Sequence, residues 1–228
     1  QGSYEEEGHA LIYLKAGISC ADRVATVSPG YAYEVTTPEG GFGLDSIVGS
    51  RWYQLNGILN GIDEDDWSPE TDIHLEYNYS VDDLSGKKET KLALQKELGL
   101  KEDADIPLLA FIGRLDPQKG ADILLQSVPW IASQNVQLVM LGTGCGDLEN
   151  GLKWAEGTYK DNVRGWVGFN VPFSHKLTAA ADILIMPSRF EPCGLNQMYA
   201  MRYGTVPIAH ATGGLRDTVI TFDPFEDM

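Results

Sequence analysis

The chain has 228 residues, 43% of them hydrophobic and 22% charged, a composition that supports a buried core and excludes wholesale disorder. Asp and Glu number 33 against 17 Lys and Arg, a formal net charge of −16. That balance disfavours nucleic acid and anionic membrane as general partners, while leaving room for one anionic small molecule in a local basic pocket. No apolar run reaches the length of about 18 residues that a membrane span needs, and no secretory leader or transit segment is visible. The three cysteines, Cys20, Cys145 and Cys193, match neither a zinc spacing nor a disulfide framework.

In chain order, residues 10–20 read as a helix and residues 23–27 as a strand. Ser28 and Pro29 mark a helix start, because Ser caps well and Pro fits the first turn. Residues 38–50 are glycine-rich and read as a loop. Residues 55–62 combine a short strand with Asn-Gly turn signals, and residues 63–86 read as an irregular connection. An amphipathic helix is expected over 87–99, closed by Gly99. From Ile106 the rhythm becomes α/β. Apolar strands at 107–113, 136–141, 163–169, 182–187 and 206–209 alternate with helices at 122–133, 174–181 and 193–203. This pattern implies a parallel sheet covered on both faces.

Doubly wound sheets bind ligands beyond the carboxyl ends of their strands, and four such loops stand out. In the first, Gly113–Gly120 (GRLDPQKG), Arg114 and Lys119 flank a turn with Gly at each end. Such a loop can aim a guanidinium fork and an ammonium at a diphosphate; a solvated turn is the plainer alternative. In the second, Glu191, Pro192, Cys193 and Gly194 follow a buried strand and open a helix. Backbone N–H groups at a helix start favour anions, and a carboxylate beside them can grip sugar hydroxyls; equally, Glu191 can simply complement the helix dipole. Cys193 as a nucleophile would need a histidine, and none lies near it in sequence.

The third loop, residues 210–217, carries Gly213 and Gly214, which allow close backbone approach to a ligand, while His210 reads as structural. The fourth, residues 142–146, falls one place short of the dinucleotide fingerprint G-x-G-x-x-G. Phe169, at a strand tip, can stack on a flat base or fill the core. Asn60 suits a turn or a sugar contact.

Taken together, these stretches resemble a starch synthase, the plant and algal relative of the ADP-glucose-dependent glycogen synthases (glycosyltransferase family 5). The matching residues are Ala21–Val24, Thr26–Pro29, Asn60–Asp63, Gly113–Gly120, Pro187–Leu195 and Thr212–Val219, and they span essentially the whole chain. Residues 39–43 and 79–86 look more like a soluble, class I isoform than the granule-bound one. The resemblance implies an α/β protein of the GT-B type, with residues 1–54 as the end of an N-terminal, acceptor-side Rossmann-like domain. Residues 55–228 would form the C-terminal nucleotide-sugar-binding domain, short of its last helices.

The implied reaction transfers glucose from ADP-glucose to the non-reducing end of an α-1,4-glucan, with retention, no metal and no cofactor. By position, Arg114 and Lys119 would hold the donor phosphates and stabilise the departing ADP, and Glu191 would bind the glucosyl ring with Cys193 against the same site. Gly194, Leu195 and Asn196 would present the helix start to the phosphates, Phe169 would stack on adenine, and Asn60, Thr212 and Gly213 would complete the donor site. The implied acceptor is amylopectin, glycogen or a malto-oligosaccharide, and the implied location is the plastid stroma, chloroplast or amyloplast.

The family's Lys-x-Gly-Gly-Leu loop and a histidine near the transferred glucose belong to the N-terminal domain and are not in this chain. A fragment carrying the donor-binding half, inactive alone, is therefore expected. Two other readings stand beside it: a UDP-glucose-dependent glycogen or sucrose-type synthase, and a non-catalytic glucan-binding protein on the same fold.

Overall fold

The structure, a computed structural model, describes residues 13–225. The described chain divides into two compact units, one formed by residues up to Asn60 with Glu191–Cys193 and the segment from Ala211, the other by Gly61–Phe190 with Gly194–His210.

In the smaller unit, residues 13–20 form helix α1; the first three residues of the helix expected over 10–20 lie outside the described residues. Strand β1 (Val24–Val27) pairs in parallel with β2 (Leu55–Ile58), from Val24 opposite Leu55 to Val27 opposite Ile58. Ser28 accepts from the Tyr31 amide at 3.1 Å and caps α2 (Pro29–Glu34), as the Ser-Pro pair leads one to expect.

Residues 38–50, expected as a loop, instead hold two short helices, α3 (Pro38–Gly41) and α4 (Asp45–Gly49). Thr37 accepts from the Gly40 amide and Pro38 sits in the first turn, so a cap signature outweighs the glycine content. Gly30 N–H donates to Asp217 Oδ2 at 2.6 Å, and Asp217 lies on α10 (Gly213–Thr218), which tethers the end of the described chain to α2.

The larger unit begins with the expected irregular segment and then α5 (Ser85–Glu97). Gly99, at φ 62°, closes that helix: its N–H donates to Lys96 O, and Leu100 N–H donates to Gln95 O. Five strands follow: β3 (Leu108–Ile112), β4 (Gln137–Gly142), β5 (Val163–Val167), β6 (Ile183–Met186) and β7 (Val206–Ala209). All pair in parallel, in the spatial order β5-β4-β3-β6-β7.

Helices α6 (Ala121–Ile131), α7 (Gly146–Thr158), α8 (Val171–Ala180) and α9 (Asn196–Arg202) connect the strands. No helix is expected over 146–158 from the sequence; α7 occupies that span. The helix expected over 193–203 starts later, at Asn196, because Glu191–Gly194 form a turn with Gly194 at φ 69°. The core packs Leu138 and Met140 of β4 with Leu124 and Val128 of α6 and Leu152 of α7, all nearly inaccessible.

Strand order decides where a ligand can sit. From β3 the chain runs outward to β4 and β5, then returns to place β6 on the opposite side of β3. The crevice of a doubly wound sheet opens at the carboxyl ends of the two strands where that reversal occurs. Here those ends are the turns Gly113–Gly120 and Pro187–Phe190.

Below the sheet, Lys87 on α5 donates to Ala179 O, Ala181 O, Tyr203 O and Thr205 Oγ1, at 2.7 to 3.1 Å. One cation thereby meets the carbonyl ends of both α8 and α9.

Candidate functional site

Beyond the carboxyl ends of β3 and β4 the larger unit has a cavity of about 310 Å³, lined in part by Arg114, Thr143, Phe169, Ser174, Asn196 and Trp67. Of the residues singled out from sequence, the fold gathers Arg114, Phe169 and Asn196 around this one space. Phe169 is 88% exposed, so it does not fill the core; its ring is a free face at the rim. Gly168 precedes it at φ 145°, a conformation suited to glycine that lets the strand end turn outward.

Asn196 is the first residue of α9, and its Nδ2 donates to Ile112 O at 2.8 Å. Leu195 occupies the cap position with no side-chain cap, which leaves the helix start to its backbone groups. Cys193 is buried and reduced.

The turn carrying Arg114 and Lys119 is built from its own side chains. Asp116 Oδ1 accepts from the Lys119 amide at 2.9 Å, and Asp116 Oδ2 lies 3.0 Å from the Arg114 guanidinium. Gln118 Oε1 accepts from Arg114 at 3.1 Å. Gly120 takes φ 69°, and a Cβ there would stand 2.1 Å from Pro187 O, so the two turns meet backbone to backbone. Arg189 forks onto Asp122, both bonds at 2.7 Å, and these hydrogen bonds hold the Asp122 carboxyl below its ordinary range.

Glu191, Thr212, Gly213 and Asn60 lie in the smaller unit. Glu191 is buried, and its carbonyl accepts from the Gly214 amide at 2.9 Å. Gly213, at φ 43°, would place a Cβ 2.2 Å from Glu191 O, so the approach needs glycine. Glu34 accepts from the Gly213 amide at 2.7 Å and from Thr212 Oγ1 at 3.2 Å. Asn60 is exposed after β2. His210 Nδ1 lies 2.8 Å from Ser188 O, in keeping with its structural reading.

Residues that sequence reasoning passed over support the cavity. Trp67 is sandwiched between His175 (centroids 3.7 Å apart) and Tyr199 (3.8 Å). Beneath it, Asp72 Oδ2 bonds His175 Nδ1 at 2.8 Å and Tyr203 Oη at 2.7 Å, while Asp72 Oδ1 accepts from the His74 amide at 2.8 Å. Asp72, His74 and His175 offer donor atoms within 4.8 Å of one another. Both Asp72 oxygens are already engaged, which fits a structural knot better than a metal centre. Burial pushes the Asp72 carboxyl up, but the bonds from His175, Tyr203 and His74 outweigh it and leave it below its ordinary range.

Residues 106–223 match the family model described as glycosyl transferases group 1, and residues 2–49 match the starch synthase catalytic domain. The chain is 58% identical to starch synthase 1 of Triticum aestivum over 220 residues, covering 96% of this chain and 34% of that protein. It is also 58% identical to granule-bound starch synthase 2 of Solanum tuberosum over 225 residues, covering 96% of this chain and 29% of that protein.

Among solved structures, the catalytic domain of starch synthase IV from Arabidopsis thaliana bound to ADP and acarbose superposes with a TM-score of 0.87 at 43% identity, covering 92% of this chain and 43% of that one. HepE of Anabaena in complex with UDP and glucose shares the fold, with a TM-score of 0.63 at 19% identity over 92% of this chain and 50% of that one. The chain spans about a third of the length of the curated relatives it matches.

Proposed function

Because this chain belongs to the glycosyl transferases of group 1, we propose that it is the donor-binding part of a starch synthase, transferring glucose from ADP-glucose to the non-reducing end of an α-1,4-glucan. The observation that carries this reading is the placement of Arg114, Phe169 and Asn196 around one cavity at the carboxyl ends of β3 and β4, beside the reversal point of the sheet. A starch synthase 43% identical in sequence and alike in fold, solved with ADP and acarbose, supports a nucleoside diphosphate there and a glucan acceptor.

In this reading the adenine lies against the exposed ring of Phe169, and the two phosphates face Arg114 and Lys119. As the glycosidic bond to ADP breaks, negative charge gathers on the leaving phosphate oxygen. In this reading the two cations meet that charge as it forms, and so stabilise the transition state more than the ground state. ADP-glucose is a substrate, and the proposal requires no metal and no resident cofactor. Glu191, Cys193, Gly194, Thr212, Gly213 and Asn60 are assigned to the glucosyl and phosphate contacts of the donor. The plastid location named for the relatives is proposed here too.

Titration calorimetry of the chain with ADP, UDP and adenosine tests the reading. Tighter binding of ADP than of either competitor is expected; equal affinity for ADP and UDP would favour the UDP-glucose alternative, and equal affinity for ADP and adenosine would remove the diphosphate from the site.

A further inference from the structure

Three bonds tie the turn after β3 to the turn after β6, all within the larger unit. Arg189 N–H donates to Gln118 O at 2.9 Å, Gln118 Nε2 donates to Phe190 O at 3.1 Å, and Arg189 Nη1 donates to Pro117 O at 2.7 Å. The Arg189 fork on Asp122 then anchors the second turn to the first residues of α6. Gln118 stands at the centre: one end of its amide holds Phe190 O, and the other receives the Arg114 guanidinium.

From this wiring we propose that Asp122, Arg189 and Gln118 form a positioning clamp that fixes Arg114 and Lys119 in the attitude a diphosphate requires; the inference rests on the donor reading above.

Two observations separate this role from simpler ones. Arg189 is a cation near the site, yet its guanidinium already bonds both Asp122 oxygens and Pro117 O, so its charge is met within the protein. A stabilising role for the fold alone is a poor account as well. The Arg189 and Asp122 side chains are 47% and 35% exposed, and ion pairs so exposed contribute little to global stability. What the pair anchors is a turn of eight residues whose Arg114, 67% exposed, is held within it by Asp116 and Gln118. Ordering that side chain before the ligand arrives removes the entropy cost from the binding step.

The decisive measurement compares ADP with adenosine on Asp122→Asn, Arg189→Lys, the double variant and Gln118→Ala, each alongside the unsubstituted chain, with folding monitored by circular dichroism. Asp122→Asn keeps the volume and frees the Arg189 charge; Arg189→Lys keeps the charge and loses the fork. Each single variant is expected to weaken ADP by about 5- to 10-fold, leave adenosine unchanged, and cost no more when the two are combined. Gln118→Ala, which leaves the ion pair intact, is expected to show the same ADP-only loss.

An ADP affinity that is unchanged or tighter in Asp122→Asn would overturn the clamp, as would losses that add in the double variant or fall equally on adenosine. Equal binding of ADP and adenosine by the unsubstituted chain would overturn the diphosphate reading and the clamp with it. An ADP affinity undiminished in both Asp122→Asn and Gln118→Ala, with ADP still bound more tightly than adenosine, would overturn the clamp alone.

Discussion

Asn196, which opens α9, donates its side-chain amide to the carbonyl of Ile112, the last residue of β3. A strand end has a carbonyl with no partner in the ladder, and a helix start has a side chain with no turn before it. Joining them sets the floor of the cavity. Asn196→Ala leaves the Ile112 carbonyl without that donor, at an expected cost of about 1–2 kcal/mol in stability. The urea unfolding midpoint reads this directly, and ADP affinity should fall alongside it.

Lys119 is assigned a different kind of contact. Lys119→Ala should weaken ADP binding by roughly 10- to 100-fold, the value of one charge-assisted bond of about 1.5–3 kcal/mol. Raising the salt concentration should shrink the difference between the two proteins, since screening acts on the partner that still carries charge. Calorimetric titrations at low and high salt provide the check, and an unchanged affinity would remove Lys119 from the site.

Phe169→Ala should act on the base alone. Loss of one stacking platform costs about 1–3 kcal/mol, so ADP affinity should fall by roughly 5- to 100-fold. Binding of inorganic diphosphate should not change. A fall in both would mean that the ring supports the loop and does not meet the base.

Acid stability should report Asp72. Its folded pKa lies below the ordinary carboxylate value, so its contribution is complete above the unfolded pKa of about 3.9 and is lost as pH falls through the folded value. In Asp72→Asn that part of the acid transition should flatten. The substitution also leaves His175 and Tyr203 buried against a neutral amide, at a cost of about 3 kcal/mol at neutral pH. Thermal melts from pH 3 to pH 7 separate the two effects.

Two glycines offer a paired test of backbone geometry. Gly120→Ala forces a left-handed φ on alanine and drives its Cβ into Pro187 O, so a loss of more than about 2 kcal/mol is expected. Gly157, inside α7, has open space where a Cβ would go. Gly157→Ala should therefore stabilise the protein by about 0.5–1 kcal/mol. Differential scanning calorimetry of both variants tests the contrast.

The α/β alternation is legible because buried parallel strands such as Gln137–Gly142 are short, nearly continuous apolar runs bounded by turn residues, too short for buried helices. Helices α3 and α4 were not, because Gly40, Gly41 and Gly43 outweighed the Thr37-Pro38 cap when residues were weighed one by one. α7 escaped for a similar reason: Gly151 and Gly157 break its pattern, although Asp147 and Glu149 mark its first turn.

Within the site, the turn holding Arg114 and Lys119 is local and could be read directly. Asp122 and Arg189 are 67 residues apart, and Asp72 and His175 are 103 apart. Partners so distant are joined only by the strand order, which no local spacing encodes. Glu191-Pro192 resembles a helix opening, but the positive φ of Gly194 delays the start of α9 to Asn196.

The aromatic sandwich at the cavity also gives the molecule an optical reporter. Of its five tryptophans, Trp52, Trp130, Trp154 and Trp166 are exposed, while Trp67 lies between two rings and borders the cavity. Iodide should quench the exposed four in preference to Trp67. The less-quenched emission should then be weighted toward Trp67, so a change in its wavelength or lifetime on adding ligand would report occupancy of the cavity without any label attached to protein or ligand.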